Sequence, residues 1–438
     1  MNHDLHQIFT RLEPDIIRYR RTLHQQAESG WTEFWTTDYI AAILEKAGYH
    51  LHMGRDILDG PSRMGLPDEE VLKKAAERAL ANGASPDRIR LMEGGFTGVV
   101  ADLKNDSSPV IALRFDIDAN TLTECEDQQH RPFQEHFSSR NRGSCHACGH
   151  DGNTSIGLGL ARALAEIKDD IDVNIRLIFQ PAEEGVRGAR PMVKAGVVDG
   201  IKAFIGCHMG FKALKSGGLV LGADNFLATS KFDVSFTGKS SHAGAYPEEG
   251  NNSLLAAATA ALNLHAIPRH SQGATRITVG RLEAGEGRNI IPAQATIIAE
   301  TRGQTTGLND YMYRKALSII EHSARMYDQE YEISAAGGCK AALCDPEMIA
   351  LLRKAAENVA FYNNDDVVDS VDFGASDDVT EFISAVQGQG GIATYCMIGT
   401  EISAGHHHFR FDFNEKTLAP AAEFLLQAIL LLVADNSG

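Results

Sequence analysis

One apolar run of strand length reads Val110-Ile-Ala-Leu-Arg-Phe-Asp-Ile-Asp118 and closes on two aspartates. Three similar runs lie along the chain at residues 98–103, 173–179 and 201–207, and helical patterns separate several of them. Alternating strands and helices predict an α/β fold with a mixed, mostly parallel sheet sandwiched by helices. Because sites in such sheets form at the carboxyl ends of strands, polar residues that follow these runs are candidate functional residues.

The pattern changes near residue 225. From there the chain reads strand, helix, strand, strand, helix, strand, which is the order of a split βαβ unit. The segments are 226–237, 252–265, 275–282, 293–302, 308–327 and 331–335. We therefore expect an inserted ferredoxin-like α+β domain at 225–337, and a first domain built from 1–224 and 338–438.

Length and charge restrict the classes of protein to which this chain can belong. With 438 residues, it is expected to hold two domains. The net charge of −17, from 41 basic and 58 acidic residues, argues against nucleic acid or an anionic membrane as a partner. An anionic small substrate would need a locally placed Arg or Lys.

Cysteine usage and the apolar runs bear on the compartment in which the protein works. The seven cysteines form no regular framework, which favours free thiols in a reducing compartment. Residues 1–4 are polar, so no signal peptide is expected. The apolar run at 424–434 contains Gln427 and is expected to be too short to span a bilayer. A cytoplasmic protein is therefore predicted.

Four separated groups of metal-binding side chains stand out in the sequence. Cys148 and His150 lie two residues apart before a small-residue helix pattern, and a thiolate with an imidazole suits a transition metal. The pair Glu183-Glu184 and the single His208 each follow an apolar run, and three histidines occupy 406–408. Four such groups indicate a metalloenzyme rather than a binding module.

Each group also has a plainer interpretation. Cys145 and Cys148 could be buried thiols or a redox pair, since a structural zinc site would need a second such pair. Adjacent glutamates are usually a solvated turn, and a lone histidine at a strand end is usually a core residue. The tract at 406–408 could lie on the surface, and side-chain alternation prevents all three histidines from facing one metal. Taken alone, three polar residues of the inserted domain favour capping or surface roles: His242, Asn289 and Arg302.

Several motifs resemble those of the aminoacylase/carboxypeptidase family of dinuclear metallopeptidases. They are most similar to its amidohydrolase branch, which contains hippurate hydrolases and plant auxin-conjugate hydrolases. The shared motifs are Arg-x-x-Leu-His at 20–24, Arg-x-Asp-x-Asp-Ala at 114–119, His-Ala-Cys-Gly-His-Asp at 146–151 and Gln-Pro-Ala-Glu-Glu-Gly at 180–185. An insertion at 55–95, with a helix pattern at 69–81 and no ligand cluster, adds a resemblance to enzymes that cleave p-aminobenzoyl-glutamate.

The resemblance implies a metal site and its base. It implies two divalent ions, Mn²⁺ or Zn²⁺, held by Cys148, His150, Glu184, His208 and His407. His406 and His408 are the alternative registers for the last ligand. Glu183 corresponds to the general base, which takes a proton from water and gives it to the leaving amine. Asp118 corresponds to the acid that orients a ligand.

The resemblance also gives the inserted domain a dimerisation or lid role. His242 corresponds to a residue that reaches the site of a partner chain and stabilises the oxyanion that develops on the substrate carbonyl. The free carboxylate of the substrate is assigned to Asn289 and Arg302, and an Arg suits a carboxylate because its donors form a fork.

Three positions depart from the family pattern. Asn153 replaces a histidine that is not a ligand, and Phe409 replaces the proline after the final ligand. Residues 374–378, Gly-Ala-Ser-Asp-Asp, only approximate the family's Gly-Ser-Glu-Asp, so no role is assigned to them.

The expected activity is metal-dependent hydrolysis of the amide of an anionic N-acyl amino acid, with p-aminobenzoyl-glutamate as the expected substrate. A general aminoacylase or hippurate-type deacylase is the alternative within this chemistry. The chain is expected to form a homodimer, or a heterodimer with a homologous subunit without which it is inactive. A redox role for Cys145 and Cys148 is a further alternative.

Overall fold

The computed structural model describes residues 4–104 and 107–436. Residues 1–3, on which the expectation of no signal peptide partly rests, lie outside the described part of the chain. The described strands are β1 His50–Met53, β2 Val99–Asp102, β3 Pro109–Asp116, β4 Asn174–Gln180, β5 Ala203–Met209, β6 Leu219–Val220, β7 Ala223–Asp224, β8 Ala228–Thr237, β9 Thr275–Ala284, β10 Gln294–Gly303, β11 Glu330–Cys339, β12 Val367–Val368, β13 Val371–Asp372 and β14 Ile392–Ile398.

Helices alternate with these strands through most of the chain. They are α1 Leu5–Gln25, α2 Phe34–Lys46, α3 Glu69–Ala81, α4 Pro86–Leu91, α5 Arg131–Gln134, α6 His150–Glu166, α7 Ala189–Lys194, α8 Ser253–His265, α9 Thr306–Met326, α10 Pro346–Glu357, α11 Val379–Gly388 and α12 Leu418–Asn436. The helix predicted at 69–81 within the insertion is α3.

The larger sheet has eight strands in the order β1-β2-β4-β3-β5-β14-β6-β12. Its four central strands, β4, β3, β5 and β14, are parallel, and β2 and β6 join them antiparallel. The carboxyl ends of the parallel strands therefore meet at one edge. The strand predicted at 201–207 continues to Met209, so His208 lies within β5 and not after it, which corrects the expected position.

Helices cover both faces of this sheet, as the apolar runs predicted. Alternate residues of β3 face opposite ways: Ile111, Leu113 and Phe115 pack with α1, α6 and α12, whereas Ala112 packs with α7 and α11. Gly157 lets α6 approach the sheet, because a Cβ there would lie 2.7 Å from the Phe115 ring. The α/β class is confirmed.

The C-terminal helix α12 is longer than the sequence suggested. Residues 415–434 form one helical stretch of 20 residues, and its most apolar 18-residue window has a mean hydropathy of 1.9. By length and composition it could cross a membrane, so the expectation that this apolar run is too short was wrong. However, 72% of its most apolar window is buried, against α1, α6 and α10, as in the core helix of a globular domain.

The smaller sheet is antiparallel, with the strand order β11-β8-β10-β9. Helices α8 and α9 pack on it through a separate apolar core that includes Phe232, Ala256, Ile297 and Met312. Its elements follow the predicted β-α-β-β-α-β order, so the ferredoxin-like α+β unit is confirmed as a fold.

Candidate metal centre

The first group of candidate ligands forms where α6 begins beside the end of β5. Gly149, with φ at +91°, turns the chain from Cys148 into the first residue of the helix, His150. Cys148 Sγ lies 3.6 Å from His208 Nε2. The ligand atoms of Cys148, His150 and His208 all lie within 4.8 Å of one another. Three residues that are distant in sequence thus surround one point.

A second group shares Cys148 with the first. The ligand atoms of Cys148, Glu184 and His407 also lie within 4.8 Å of one another. His407 Nε2 is 3.2 Å from Glu184 Oε1. The structure therefore brings all five predicted ligands into two adjoining clusters, with the cysteine common to both.

The three neighbouring histidines point in different directions. His406 Nε2 lies 3.2 Å from the Met209 carbonyl oxygen, to which it donates. His408 Nδ1 accepts from the Arg410 amide at 3.1 Å, and its ring stacks on Phe409. His407 has φ at +63° and alone reaches the Glu184 carboxylate. The geometry favours His407 among the three registers.

His150 carries the clearest sign that the site fits a metal ion. Its Nδ1 donates to the Asp118 carbonyl oxygen at 2.8 Å, so the hydrogen resides on that nitrogen. Its Nε2 is buried and has no hydrogen-bond partner among the described residues. An imidazole held at one nitrogen by a backbone carbonyl is the usual arrangement of a metal-ligating histidine. Thiol, imidazole and carboxylate donors complete a set suited to zinc or manganese.

The adjacent carboxyls Glu183 and Glu184 have opposed environments. Burial, with the nearby carboxylates of Asp377 and Glu184, raises the pKa of Glu183 well above its usual range. Burial also opposes ionisation of Glu184, but the hydrogen bond from His407 and the charge of His150 lower its pKa to about 2. Such a divergence suits one group to proton transfer and the other to ligation.

The loop that carries these two glutamates is strained and firmly held. Ala182 and Val186 have φ at +50° and +59°, a region that non-glycine residues seldom adopt. Asp118 accepts from the amides of Glu183 at 3.0 Å and Glu184 at 2.9 Å, one with each oxygen. The carboxylate of Glu33 accepts from the Ala182 amide at 2.8 Å. Asp118 thus orients two parts of the site: its carboxylate holds the glutamate loop, and its carbonyl oxygen holds His150.

Glu33 had no predicted role, and its contacts make it a positioning residue for this loop. It is fully buried and also accepts from the Thr97 hydroxyl at 2.7 Å. We expect Glu33→Ala to lower kcat about a hundredfold, because a shift of about 1 Å in a catalytic group has that scale of effect. Steady-state kinetics with metal analysis would measure it. Glu28→Ala is the matched control, since Glu28 is equally buried but bonds Thr36 and Arg78 instead; equal losses in both variants would contradict the prediction.

Other residues at the site were missed by sequence reasoning. Asn120 Nδ2 donates to Glu184 Oε1 at 2.6 Å. Asp377 and Asp378 lie beside Glu183, and the buried Arg114 bonds both of them. The acid pair at 377–378 was visible in the sequence, but its proximity to Glu183 depends on α11 packing against the sheet.

Asp151, next to His150, faces away from the metal groups into a buried ionic network. It accepts from Arg20 Nε and His24 Nδ1, each at 2.8 Å. His24 Nε2 in turn donates to Glu124 Oε1 at 2.8 Å. Burial alone would lower the pKa of His24, but Glu124 and Asp151 raise it from 6.5 to about 9. The network ties α1 to the start of α6 and supports the ligand-bearing turn.

This raised pKa makes stability depend on pH in one direction. The contribution of His24 is fully present below pH 6.5 and is lost as pH rises through about 9, because only the folded state favours the proton. The shift corresponds to about 3 kcal/mol. We expect the difference in unfolding free energy between the wild type and His24→Gln to shrink by about that amount between pH 6 and pH 10 in urea titrations. A pH-independent difference would contradict it, and exposed His322→Gln is the control.

The structure does not bring all the predicted residues of the inserted domain close to the two groups of candidate metal ligands. His242 and Asn289 are exposed, and the Ala243 amide donates to the Asn289 carbonyl at 3.0 Å. No hydrogen bond or ring contact joins His242 to the metal groups within the described ranges. Arg302 pairs with Glu300 at 2.7 Å and reaches Ser376 Oγ, beside Asp377, at 3.4 Å.

Candidate metal ligands that cluster around a buried carboxyl with a raised pKa, at the strand ends of an α/β sheet, are typical of a metal-dependent hydrolase. The chain belongs to peptidase family M20/M25/M40, whose model matches residues 112–431. It is 46% identical over 423 residues to the indole-3-acetyl-aspartic acid hydrolase of Enterobacter agglomerans, covering 96% of both chains. It is also 46% identical to one of the subunits of p-aminobenzoyl-glutamate hydrolase from Escherichia coli K12, covering 97% of this chain and 98% of that one.

A solved structure agrees with these relatives. The aminobenzoyl-glutamate utilization protein of Klebsiella pneumoniae superposes with a TM-score of 0.84 at 41% identity, covering 98% of both chains. Family and relatives together establish this chain as a metal-dependent amidohydrolase, as the motifs predicted.

Proposed function

We propose that this chain hydrolyses the amide bond of p-aminobenzoyl-glutamate, releasing p-aminobenzoate and glutamate. The observation that carries the proposal is the buried His150 Nε2, which has no hydrogen-bond partner among the described residues and lies 3.8 Å from the Glu183 carboxyl, whose pKa is raised. The relatives named above supply the substrate class, since each is named for an acyl derivative of glutamate or aspartate. Equal identity to the indole-3-acetyl-aspartic acid hydrolase makes that conjugate the second candidate substrate.

The proposed cofactor is a pair of divalent ions, Mn²⁺ or Zn²⁺. Cys148, His150 and His208 would hold one ion, and Cys148, Glu184 and His407 the other. Cys148 belongs to both groups and would help to hold the pair. Such ions polarise a carbonyl and acidify a water molecule when bound.

The residues of the chain perform the proton transfers. Glu183 takes the proton of the attacking water and later delivers it to the nitrogen of the leaving amino acid. Asp118 fixes Glu183 through its amide and keeps the carboxyl aimed at the cluster. Asn120 and His407 hold Glu184 in its ionised form, so the two glutamates do not exchange roles.

The inserted domain is proposed to supply substrate contacts and a dimer interface. Arg302 and Asn289 would bind the carboxylate of the substrate, with Arg302 offering Nη1 beside Ser376. His242 would reach the site of a second chain, either an identical one or a homologous one. Its exposure supports this proposal, because within one chain it has no contact with the metal groups in the part that the structure describes.

We also propose a cytoplasmic location. All seven cysteines are free thiols, and six of them are buried, which suits a reducing compartment.

The test is turnover by the purified chain loaded with Zn²⁺ or Mn²⁺. Release of p-aminobenzoate from p-aminobenzoyl-glutamate is compared with hydrolysis of indole-3-acetyl-aspartate, hippurate and acetyl-glutamate. A general aminoacylase would cleave all four at similar rates, whereas the proposed enzyme prefers p-aminobenzoyl-glutamate. The chain is assayed alone and with a co-expressed homologous partner, and absence of turnover in both arms would overturn the proposal.

A further inference from the structure

Phe211 occupies an unusual position at the edge of the metal centre. It lies two residues beyond the end of β5 and three beyond His208, with φ at +59°. A bulky residue with positive φ is a strained outlier that persists only where its surroundings fix it. The Gly210 amide, which donates to the Ile398 carbonyl at 2.8 Å, helps to fix this turn.

One side of the Phe211 ring rests on other aromatic rings. Its centroid is 4.7 Å from that of Phe373, which in turn lies 4.6 Å from Phe226. These distances fall in the favourable range for offset aromatic pairs. The ring is therefore braced from behind by buried side chains and does not depend on a ligand for its orientation.

The remainder of the ring is partly exposed beside the candidate ligands. Its centroid lies 6.5 Å from the His208 imidazole and 5.5 Å from the His406 imidazole. His406 also packs on Phe411 at 4.8 Å, so the wall around this part of the centre is largely aromatic. A braced, partly open aromatic ring next to a predicted ligand is suited to contact the group attached to the reacting carbonyl.

We propose that Phe211 is the platform for the aromatic ring of the acyl group and that it selects aromatic over aliphatic acyl groups. The inference rests on the proposed function, because it assumes that the scissile carbonyl lies at the metal centre. In a benzoyl group the ring is bonded directly to that carbonyl carbon, so it cannot lie far from the ligands. Offset or edge-to-face stacking on Phe211 would then favour it, while an acetyl group gains little.

The experiment compares acyl groups in the metal-loaded enzyme carrying Phe211→Leu. We expect kcat/KM for p-aminobenzoyl-glutamate and indole-3-acetyl-aspartate to fall about tenfold, mainly through KM. The KM of acetyl-glutamate, or its inhibition constant if it is not cleaved, should stay within twofold. Phe211→Tyr should retain the wild-type preference, and Phe211→Met keeps the volume if the leucine variant fails to fold.

Two matched variants separate this role from a structural one. Phe361→Leu removes an exposed ring that packs edge-to-face on Tyr362 and has no ring contact with the candidate ligands among the described residues, so it should change nothing. Phe409→Leu removes the exposed ring that stacks on His408. Equal losses for aromatic and acetyl substrates in Phe211→Leu, or a selective loss only in Phe409→Leu, would overturn the inference. If the wild type cleaves none of these amides, the proposed function fails instead.

Discussion

Replacing Glu183 by glutamine should leave both metal ions bound and lower kcat by about three orders of magnitude, the scale expected for loss of a general acid-base group. The carboxyl of Glu183 is buried, and its Oε2 lies 3.8 Å from the Nε2 of His150. Glutamine keeps the size of the side chain but cannot accept the proton of water. The chemical step should fail while substrate binding persists.

The same substitution at the neighbouring Glu184 should have a different effect on metal binding. Glu184→Gln should lower metal content as well as turnover, because Glu184 is ionised and belongs to a ligand cluster with Cys148 and His407. The two variants are compared by elemental analysis after dialysis, followed by single-turnover kinetics. Near-normal activity in Glu183→Gln would show that the base is another residue, and loss of metal in that variant would make Glu183 a ligand.

The opposed environments of these glutamates could be predicted only in part from the sequence. The strand before them and the motif that contains them are local features, and the structure has both where the pattern indicated. The reason that Glu183 favours its proton is not local. It depends on burial of the carboxyl and then on Asp377, nearly two hundred residues away, whose position is set by the packing of α11.

The histidine tract shows a second limit of sequence reasoning. Alternation along an extended chain predicts that neighbouring side chains face opposite ways, but His407 has φ at +63° and leaves that pattern. Its amide donates to the Ala147 carbonyl at 2.7 Å, which anchors the tract to the turn before Cys148. This long-range contact turns His407 towards Glu184, and no periodicity in the sequence reports it.

The α/β fold and the smaller α+β unit were easier to predict from the sequence, because they follow from repeating local patterns. The alternating strand β8 and the helices α8 and α9 lie within a few residues of their predicted bounds. Glu33 and Asn120, which hold the glutamate loop and the Glu184 carboxylate, could not be predicted from the sequence. A single buried carboxylate or amide has no periodic signature, and its partner is known only once the chain has folded.

The second large effect concerns His242, and it tests whether one chain makes a complete site. Its Nδ1 accepts from the amides of Gly244 and Ala245, each at 3.1 Å. The hydrogen therefore resides on Nε2, which makes the exposed side of the ring a hydrogen-bond donor. Loss of one donor to a developing oxyanion costs about 10²–10³ in kcat, so His242→Ala should be nearly inactive.

Mixing two inactive variants should then restore activity if this donor serves the other chain of a symmetric dimer. A mixed dimer of Glu183→Gln and His242→Ala has one site with an intact Glu183 and a His242 from its partner chain. With random pairing, about a quarter of wild-type activity should return, because half of the dimers are mixed and each has one complete site. The mixture is unfolded and refolded together, and its mass is measured alongside turnover. If His242→Ala is inactive alone, no recovery in a verified mixed dimer would mean that His242 acts within its own chain, since each site would then lack either its base or its donor.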